Sequence, residues 1–262
     1  MGIAIGSINE TELLNSFEDG IKRKEFFFHY QVKYDLKTDK AIGAEVLIRW
    51  MHPYYWFLTP NKFIPLLERE GLIKELDIYV AIMVCDKLKE IRKSKPDFRL
   101  SFNISRQGFS DKKTIEEIVR IIEESNLPKE NIEIELTESG LINDTDEKFM
   151  IEEINYLSSK GFRIAIDDFG CGFSSLCLLK DLNISVLKLD RSFLKDYNEK
   201  SYAIVKSVVD LAKSLNIEVV AEGVETEEMY NFVKEIGCDY AQGYYLSKPV
   251  EYKEFYEKFI NS

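Results

Sequence analysis

The sequence predicts one α/β domain, a (β/α)8 barrel in which eight strands alternate with helices. Short apolar and β-branched runs recur along the 262 residues, and longer stretches with helical spacing lie between most of them. No Pro-, Gly- or Ser-rich stretch marks a linker, and such barrels commonly reach this length as one unit. We therefore expect a single domain over residues 1–262, with a lead-in helix over 1–21 and the barrel over about 22–260.

The strands and helices follow in a regular order. The predicted strands are residues 26–34, 41–50, 98–104, 132–136, 162–166, 186–189, 217–221 and 240–246. The predicted helices are residues 73–94, 114–125, 146–160, 202–214, 227–236 and 252–259. This alternation is typical of parallel strands that close into a barrel.

The connection between the first two strands departs from that order. Residues 35–40 are polar and too few to contain a crossover helix. The first two strands are therefore predicted to form an antiparallel hairpin. The expected fold is a modified TIM barrel with one antiparallel strand.

Charge and cysteine content exclude several classes of protein. A formal net charge of -11 argues against DNA, RNA or an anionic membrane surface bound by bulk charge. The four cysteines show no CxxC spacing, which favours reduced thiols in a cytoplasmic protein. No apolar run approaches the roughly 18 residues of a membrane span, so we expect no membrane segment in this chain.

Polar side chains lie inside or just beyond most of the predicted strands, toward the point where the strands end. They are Glu45, Asn103, Glu135, Asp167, Asp168, Lys188, Glu222 and Gln242. A parallel barrel directs the carboxyl ends of its strands to one mouth, where such barrels place their chemistry. A single acidic residue at a strand end is most simply a cap or turn residue. Their recurrence on seven strands instead predicts one shared pocket.

The residue types in this pocket suit a hard cation. Carboxylate and amide oxygens without His or Cys favour magnesium, manganese or calcium over zinc. The adjacent acids Asp167 and Asp168 would let one carboxylate bridge two ions about 3.5 to 4 Å apart, as in phosphoryl chemistry. Lys188 would hold a nucleophilic water or a phosphate oxygen. We interpret His29 and His52 as structural or surface residues.

A loop with two glycines, residues 168–175, follows the fifth predicted strand. The glycines permit tight backbone geometry, and Ser174 or Ser175 is expected to cap the following helix. A dinucleotide fingerprint would need a third glycine, which is missing. The loop is therefore predicted to belong to the metal site.

Long motifs in this order resemble the EAL domain family, the bacterial cyclic di-GMP phosphodiesterases. The motifs are GAEVLIRWMHP, FIPLLEREGLI, FNIS, ELTES, DDFGCGFSSL, LKLDRSF, AEGVET and GCDYAQGYYLSKP. The resemblance runs from Tyr30 to about Phe259 and implies a modified barrel with one antiparallel strand. It also implies hydrolysis of cyclic di-GMP to linear pGpG with two divalent ions, Mg²⁺ or Mn²⁺, and inhibition by Ca²⁺.

The resemblance also implies roles for individual residues. The implied metal ligands are Glu45, Asn103, Glu135 and Asp167 for the first ion, and Asp167, Asp168 and Glu222 for the second. Lys188 is implied to orient the attacking water, and Glu222 is also similar to the residue discussed as general base. The implied substrate contacts are Gln31, Arg49 and Gln242. Glu138 is implied to steady the DDFG loop, and Asp190 and Glu225 to be supporting acids.

Several positions depart from the family pattern without removing a ligand. Val46 replaces the usual alanine, and Val32 and Lys33 follow Gln31 where proline and an apolar residue are frequent. Ser185 stands where aspartate is frequent. The aromatic segment 54–57 replaces a stretch that usually contains glycine. Packing or a partner contact is the preferred interpretation of these aromatics, ahead of stacking on a guanine.

Three functions are compatible with this sequence. An active phosphodiesterase is the leading hypothesis, because every matched ligand position is filled. The alternatives are an inactive EAL domain that acts as a cyclic di-GMP receptor and a dimerising regulatory scaffold. The resemblance further implies a homodimer and a GGDEF or sensor domain in a longer parent protein.

Overall fold

A closed ring of eight strands forms the centre of the computed structural model, which describes residues 9–138, 147–170, 178–195 and 199–261. The described strands are β1 Phe26–Asp35, β2 Lys40–His52, β3 Trp56–Leu58, β4 Arg99–Asn103, β5 Ile132–Thr137, β6 Arg163–Phe169, β7 Val186–Leu189, β8 Glu218–Ala221, β9 Tyr240–Ala241 and β10 Val250–Glu251. Neighbouring strands pair in the order β1-β2-β4-β5-β6-β7-β8-β9, and β9 pairs back onto β1. The two remaining strands, β3 and β10, lie outside this ring.

Helices surround the ring. They are α1 Glu10–Lys22, α2 Pro60–Arg69, α3 Ile73–Ile91, α4 Arg106–Phe109, α5 Lys112–Glu124, α6 Glu147–Ser159, α7 Ser192–Lys195, α8 Glu199–Ser214, α9 Glu227–Ile236 and α10 Tyr252–Phe255. Short 3-10 turns span Lys129–Asn131 and Leu178–Lys180, and a π turn spans Tyr256–Ile260. None of the described helices is both long and apolar enough to cross a membrane.

The antiparallel hairpin predicted from the short first connection is confirmed. Strand β1 pairs antiparallel with β2 from Phe26↔Trp50 to Asp35↔Lys40. It also pairs antiparallel with β9 on its other side. The Asp35 carboxylate accepts the backbone N–H groups of Lys37 and Thr38, each at 2.8 Å, which stabilises the turn. The other neighbouring pairs of the ring are parallel, so their carboxyl ends reach one mouth.

An aromatic cluster joins α1 to this hairpin. Trp50 is fully buried, stacks on Phe26 at a ring distance of 4.7 Å, and meets Phe17 of α1 edge to face. The Trp50 indole N–H donates to Glu25 at 2.9 Å, so its one polar atom is satisfied. Burying such side chains contributes about 1.5–3 kcal/mol each, which anchors the lead-in helix to the barrel.

The last barrel strand is shorter than predicted. Strand β9 contains Tyr240–Ala241, whereas the sequence predicted a strand to residue 246. The chain turns after Gln242, because Gly243 passes so close to the backbone of Val224 that a Cβ would lie 2.1 Å from its carbonyl oxygen. The backbone N–H groups of Leu246 and Ser247 then donate to the Gly243 carbonyl.

Other elements were missed or differ in extent. Helix α2 was not predicted, and it contains Pro65. Strands β3 and β10 were not predicted either, because segments of two or three residues show no alternation. The predicted final helix is a four-residue helix followed by a π turn. The lead-in helix begins at Glu10, and residues 1–8 lie outside the described part of the chain.

Candidate active site

The carboxyl mouth of the barrel collects the polar residues predicted from the strand ends. Glu45 lies within β2, and the others lie in or directly after the strands that follow. These are Asn103 in β4, Glu135 in β5, Asp167 and Asp168 in β6, Lys188 in β7, Glu222 after β8 and Gln242 after β9. Side chains alternate between the two faces of a strand, so Glu135 projects into the barrel while Ile134 and Leu136 pack against the helices. The structure therefore brings these residues together at the carboxyl mouth of the barrel.

The Lys188 ammonium group stands at the centre of four carboxylates. It is fully buried, and its Nζ lies 2.7 Å from Glu135 and 2.8 Å from Glu222. Asp167 lies 2.9 Å away and Glu45 3.3 Å away. Burial alone would lower the pKa of Lys188, but these carboxylates raise it well above its usual value. Lys188 is therefore a permanent cation that partly neutralises the pocket.

One lysine does not balance four carboxylates, and the pKa values of two of them, Glu222 and Glu45, are raised. Burial raises the pKa of Glu222, and the neighbouring charges of Asp167 and Glu45 raise it further, whereas Lys188 opposes this. Burial and Glu135 also raise the pKa of Glu45. Repulsion of this kind is relieved when a divalent cation binds among the oxygens.

Two groups of carboxylates have the spacing of metal ligands. Glu45, Glu135 and Asp167 form one group, and Asp167, Asp168 and Glu222 form the other. Within each group every residue offers one oxygen atom, and these atoms lie within 4.8 Å of one another. All donors are oxygen atoms, so the residues present fit hard divalent cations. Asp167 belongs to both groups, as expected for a carboxylate that bridges two ions.

Local backbone geometry aims the two adjacent acids differently. Asp168 has a φ of 55°, a left-handed conformation that a non-glycine residue rarely adopts. Its backbone N–H donates to the Asp167 carboxylate at 2.8 Å. Asp167 is thereby held buried in the barrel while Asp168 is exposed at the mouth.

The amide side chains connect the acids to the rim. Asn103 donates through Nδ2 to Glu45 at 3.0 Å. Gln242 donates through Nε2 to Glu45 at 2.7 Å and to Gln31 at 3.2 Å. The Gln242 Oε1 atom is buried and has no hydrogen-bond partner among the described residues, which leaves an acceptor available in the pocket.

A cavity of about 270 Å³ lies over this cluster. Its lining includes Gln31, Gln242 and Glu225 from the predicted set. Arg191 and Tyr244 also line it, although the sequence analysis did not single them out. Both lie within the recognised motifs LKLDRSF and GCDYAQGYYLSKP, so the motifs were the signal that could have found them.

Arg49 lies two residues beyond Leu47 on β2 and is not among the residues that line this cavity. Its guanidinium donates to the Ile48 carbonyl at 2.8 Å. Its buried Nε has no partner among the described residues, and burial lowers its pKa. The structure thus leaves Arg49 with donor capacity close to the mouth.

A more apolar cavity of about 440 Å³ adjoins the mouth along α3 and shares Leu47 with the first. Asn103 and Asp77 also line it. Burial raises the pKa of Asp77 to about 7, while the Ser105 hydroxyl, which donates to it at 2.6 Å, opposes that rise. The sequence analysis did not identify Asp77, because this residue lies within the long helix α3 and the analysis took its candidates from the strands.

The predicted supporting acids occupy different positions. Glu138 is buried and accepts the backbone N–H of Gly170 at 2.9 Å, where the DDFG segment leaves β6. Asp190 accepts the backbone N–H of Ser192 at 2.7 Å. Residues 171–177, including the predicted cap residues Ser174 and Ser175, lie outside the described part of the chain.

The histidines and rim aromatics contact the surrounding fold. His52 is buried against Tyr55 and lies 2.9 Å from the Ser16 hydroxyl. The Tyr55 hydroxyl donates to Glu12 at 2.7 Å, whereas Tyr54 and Trp56 are exposed. Neither His29 nor His52 belongs to a candidate metal cluster among the described residues.

Fold and site together define a class of protein: a barrel with one antiparallel strand whose mouth holds clusters of carboxylates that fit divalent cations. The model of the EAL domain matches residues 14–249. The chain therefore belongs to the EAL domain family.

Relatives with assigned names support this membership. The chain is 34% identical over 244 residues to the bifunctional diguanylate cyclase/cyclic di-GMP phosphodiesterase MucR of Pseudomonas aeruginosa. The matched residues cover 92% of this chain and 35% of the relative. It is 34% identical to the cyclic di-GMP phosphodiesterase RocR of the same species, over 90% of this chain and 60% of the relative. The chain thus spans less than two thirds of the length of these relatives.

Solved structures agree in fold. A MucR phosphodiesterase in complex with cyclic di-GMP superposes with a TM-score of 0.84 at 33% identity, over 93% of this chain and 99% of that one. An EAL domain protein from Listeria monocytogenes superposes with a TM-score of 0.83 at 29% identity, over 98% of this chain and 100% of that one. The modified barrel fold predicted from the sequence is confirmed.

Proposed function

We propose that this chain is a metal-dependent phosphodiesterase that hydrolyses one phosphodiester bond of cyclic di-GMP to give linear pGpG. The observation that carries the proposal is the convergence of Lys188 with four carboxylates at distances of 2.7 to 3.3 Å, beside a cavity of about 270 Å³. The choice of cyclic di-GMP as substrate rests on relatives that are named cyclic di-GMP phosphodiesterases. It also rests on a similar structure that was solved in complex with cyclic di-GMP.

The proposed ligands form two overlapping sets, one for each ion. The first set is Glu45, Asn103, Glu135 and Asp167, and the second is Asp167, Asp168 and Glu222. Mg²⁺ or Mn²⁺ bound there would neutralise the phosphate, lower the pKa of the attacking water and stabilise the leaving 3′-oxygen. Ca²⁺ prefers more ligands in a looser geometry, so we propose that it occupies the same oxygens and inhibits.

Lys188 and Glu222 are the proposed catalytic residues. The Lys188 ammonium can donate hydrogen bonds but cannot accept them, so we propose that it orients a water oxygen or a phosphate oxygen. The Glu222 carboxylate, 2.8 Å from Lys188, lines the cavity and accepts the proton of the attacking water as general base.

The remaining predicted residues hold the substrate and the site. Gln31, Arg49 and Gln242 offer amide and guanidinium groups to the dinucleotide. Glu138 supports the backbone at Gly170, and Asp190 and Glu225 are proposed as supporting acids around the mouth. We further propose a cytoplasmic homodimer, and a parent protein that carries a GGDEF or sensor domain.

Charge accounts for the binding of an anion by an acidic protein. Five acids are assigned to the pocket, namely Glu45, Glu135, Asp167, Asp168 and Glu222. Two divalent ions and Lys188 would balance these five negative charges. The site would then be close to neutral before the doubly anionic dinucleotide arrives.

Chromatographic detection of the linear product tests this proposal. The protein is incubated with cyclic di-GMP and Mn²⁺ or Mg²⁺, beside the variants Glu45→Ala and Lys188→Ala and the control Glu116→Ala, which changes an exposed residue of α5. Turnover by the wild type and the control, with loss in the two site variants, supports the enzyme. Binding without turnover would favour a receptor, and absence of both would favour a scaffold.

A further inference from the structure

A second buried ammonium group, that of Lys33, contacts the candidate metal ligand Glu135 from inside the barrel. Lys33 is 4% exposed, and its Nζ lies 2.7 Å from Oε1 of Glu135 and 2.7 Å from Oε1 of Glu133. The other oxygen of Glu135, Oε2, lies 2.7 Å from Nζ of Lys188. The two oxygens of one carboxylate are therefore held by two different lysines.

The position of Lys33 follows from the alternation of β1. Tyr30 and Val32 are buried toward the helices, so Gln31 and Lys33 project into the barrel. Gln31 reaches the cavity at the mouth, whereas Lys33 lies one layer deeper. It borders a separate internal space of about 10 Å³, so it does not touch a ligand in the mouth.

A chain of ion pairs holds Lys33 from below. Glu133 lies 3.3 Å from Arg163 Nε, and Arg163 also pairs with Glu218. Arg99 lies 3.8 Å from the same Glu218. These residues alternate in sign across the lower barrel, so Lys33 is fixed on one side by Glu133 and acts on Glu135 on the other.

We propose that Lys33 is a positioning residue that orients Glu135 for the first metal ion. A charge-assisted hydrogen bond to Oε1 restricts rotation of the carboxylate, and Oε2 is then held on the side of Lys188, which Glu45 and Asp167 also contact. Groups that orient ligands in this way typically contribute about 10- to 100-fold to metal affinity or activity. This inference rests on the proposed function, because it requires that Glu135 binds metal.

Lys33 also neutralises buried acids, so a test must separate positioning from stability. Lys33→Met alone would leave Glu133 buried with only Arg163 as its counter-charge. The informative comparison is therefore Glu133→Gln against the double variant Lys33→Met/Glu133→Gln. The two variants differ only at position 33, and position 133 is an uncharged glutamine in both.

Titration calorimetry with Mn²⁺ in the absence of nucleotide measures the effect directly. We expect Glu133→Gln to bind Mn²⁺ like the wild type, and the double variant to bind about 10- to 100-fold more weakly. At saturating Mn²⁺ the KM for cyclic di-GMP should be equal in both, because Lys33 does not line the cavity. Equal Mn²⁺ affinity in the two variants, with only a lower Tm in the double variant, would show that Lys33 is merely structural.

A second variant, Lys33→Arg, tests the same role if the double variant does not fold. Lys33→Arg keeps the positive charge but replaces a point donor with a longer planar fork, so we expect Mn²⁺ binding about 10-fold weaker than wild type. Unchanged binding in Lys33→Arg would contradict the positioning role. A wild type that neither binds Mn²⁺ nor hydrolyses cyclic di-GMP would instead refute the proposed function itself.

Discussion

Replacing Lys188 with methionine removes the cation that four carboxylates share. Methionine is unbranched like lysine and one atom shorter, and it carries no charge. The four carboxylates of Glu45, Glu135, Asp167 and Glu222 then face one another in a buried space without the ammonium group. Breaking a buried ion pair by removing one partner costs about 3–5 kcal/mol. For a domain of this size we expect the Tm of the metal-free protein to fall by about 6–20 °C.

The loss should depend on pH. In the variant only Glu135 keeps a counter-charge, that of Lys33, so the pKa values of the other carboxylates in the folded state rise above those in the unfolded state. The folded protein then binds more protons than the unfolded chain. Its stability is greatest at low pH and is lost as pH rises through the raised pKa values, so the deficit should grow between about pH 5 and 8.

Metal should reverse part of the deficit. Mn²⁺ at 100 times its Kd stabilises a folded site by about 2.7 kcal/mol, and it supplies the missing positive charge. The assay is urea unfolding at pH 5 and 8, with chelator and with Mn²⁺. The control is Lys206→Met, since Lys206 pairs with Asp210 on the surface and should change stability by less than about 1 kcal/mol. A deficit below about 1 kcal/mol for Lys188→Met in chelator at both pH values would refute this electrostatic account.

Three further outcomes follow from contacts around the mouth. Glu138→Gln weakens the acceptor for the Gly170 N–H, so we expect the rate of hydrolysis to fall about 10-fold. The Mn²⁺ affinity measured by calorimetry should not change. An equal loss of rate and of Mn²⁺ affinity would place Glu138 in the metal site itself. Gly170→Ala combines a φ of 97° with a Cβ 2.1 Å from Phe193 and should cost about 1–3 kcal/mol in urea unfolding, whereas wild-type stability would contradict the described turn. Burial raises the pKa of Asp77 to about 7, so the stability that its protonated form contributes is present at low pH and is lost as pH rises toward 7. Asp77→Asn should flatten this dependence of the free energy of unfolding on pH. An unchanged slope of that free energy between about pH 4 and 7 would show that Asp77 is ionised throughout.

The architecture was predictable where periodicity and connection length set it. The parallel strands show as apolar runs, and the six residues between the first two predicted strands, 35–40, leave no room for a crossover helix. The end of β9 was not predictable, because it depends on the close approach of Gly243 to Val224, which is a tertiary contact. The sequence of segment 240–246 by itself predicts a strand, and only the tertiary contact shows that the strand ends at Ala241.

The site was predictable as a set of residues but not as a set of contacts. The polar residues Glu45, Glu135 and Lys188 could be predicted from otherwise apolar strands, because a barrel directs the carboxyl ends of its strands to one mouth. The Lys33 contact to Glu135 joins residues 102 positions apart across the lumen. Sequence order does not reveal which inward side chains meet across a barrel, so that contact emerged only from the folded structure.

Formation of linear pGpG from cyclic di-GMP, followed before and after removal of metal, tests the central claim most directly. The account predicts product formation with Mn²⁺, loss of product in chelator, and recovery when Mn²⁺ is restored. Weaker binding of cyclic di-GMP to the chelated protein should accompany that loss, because the pocket then keeps its excess of negative charge. Continued hydrolysis in chelator, or tight binding without hydrolysis in Mn²⁺, would contradict a metal-dependent phosphodiesterase.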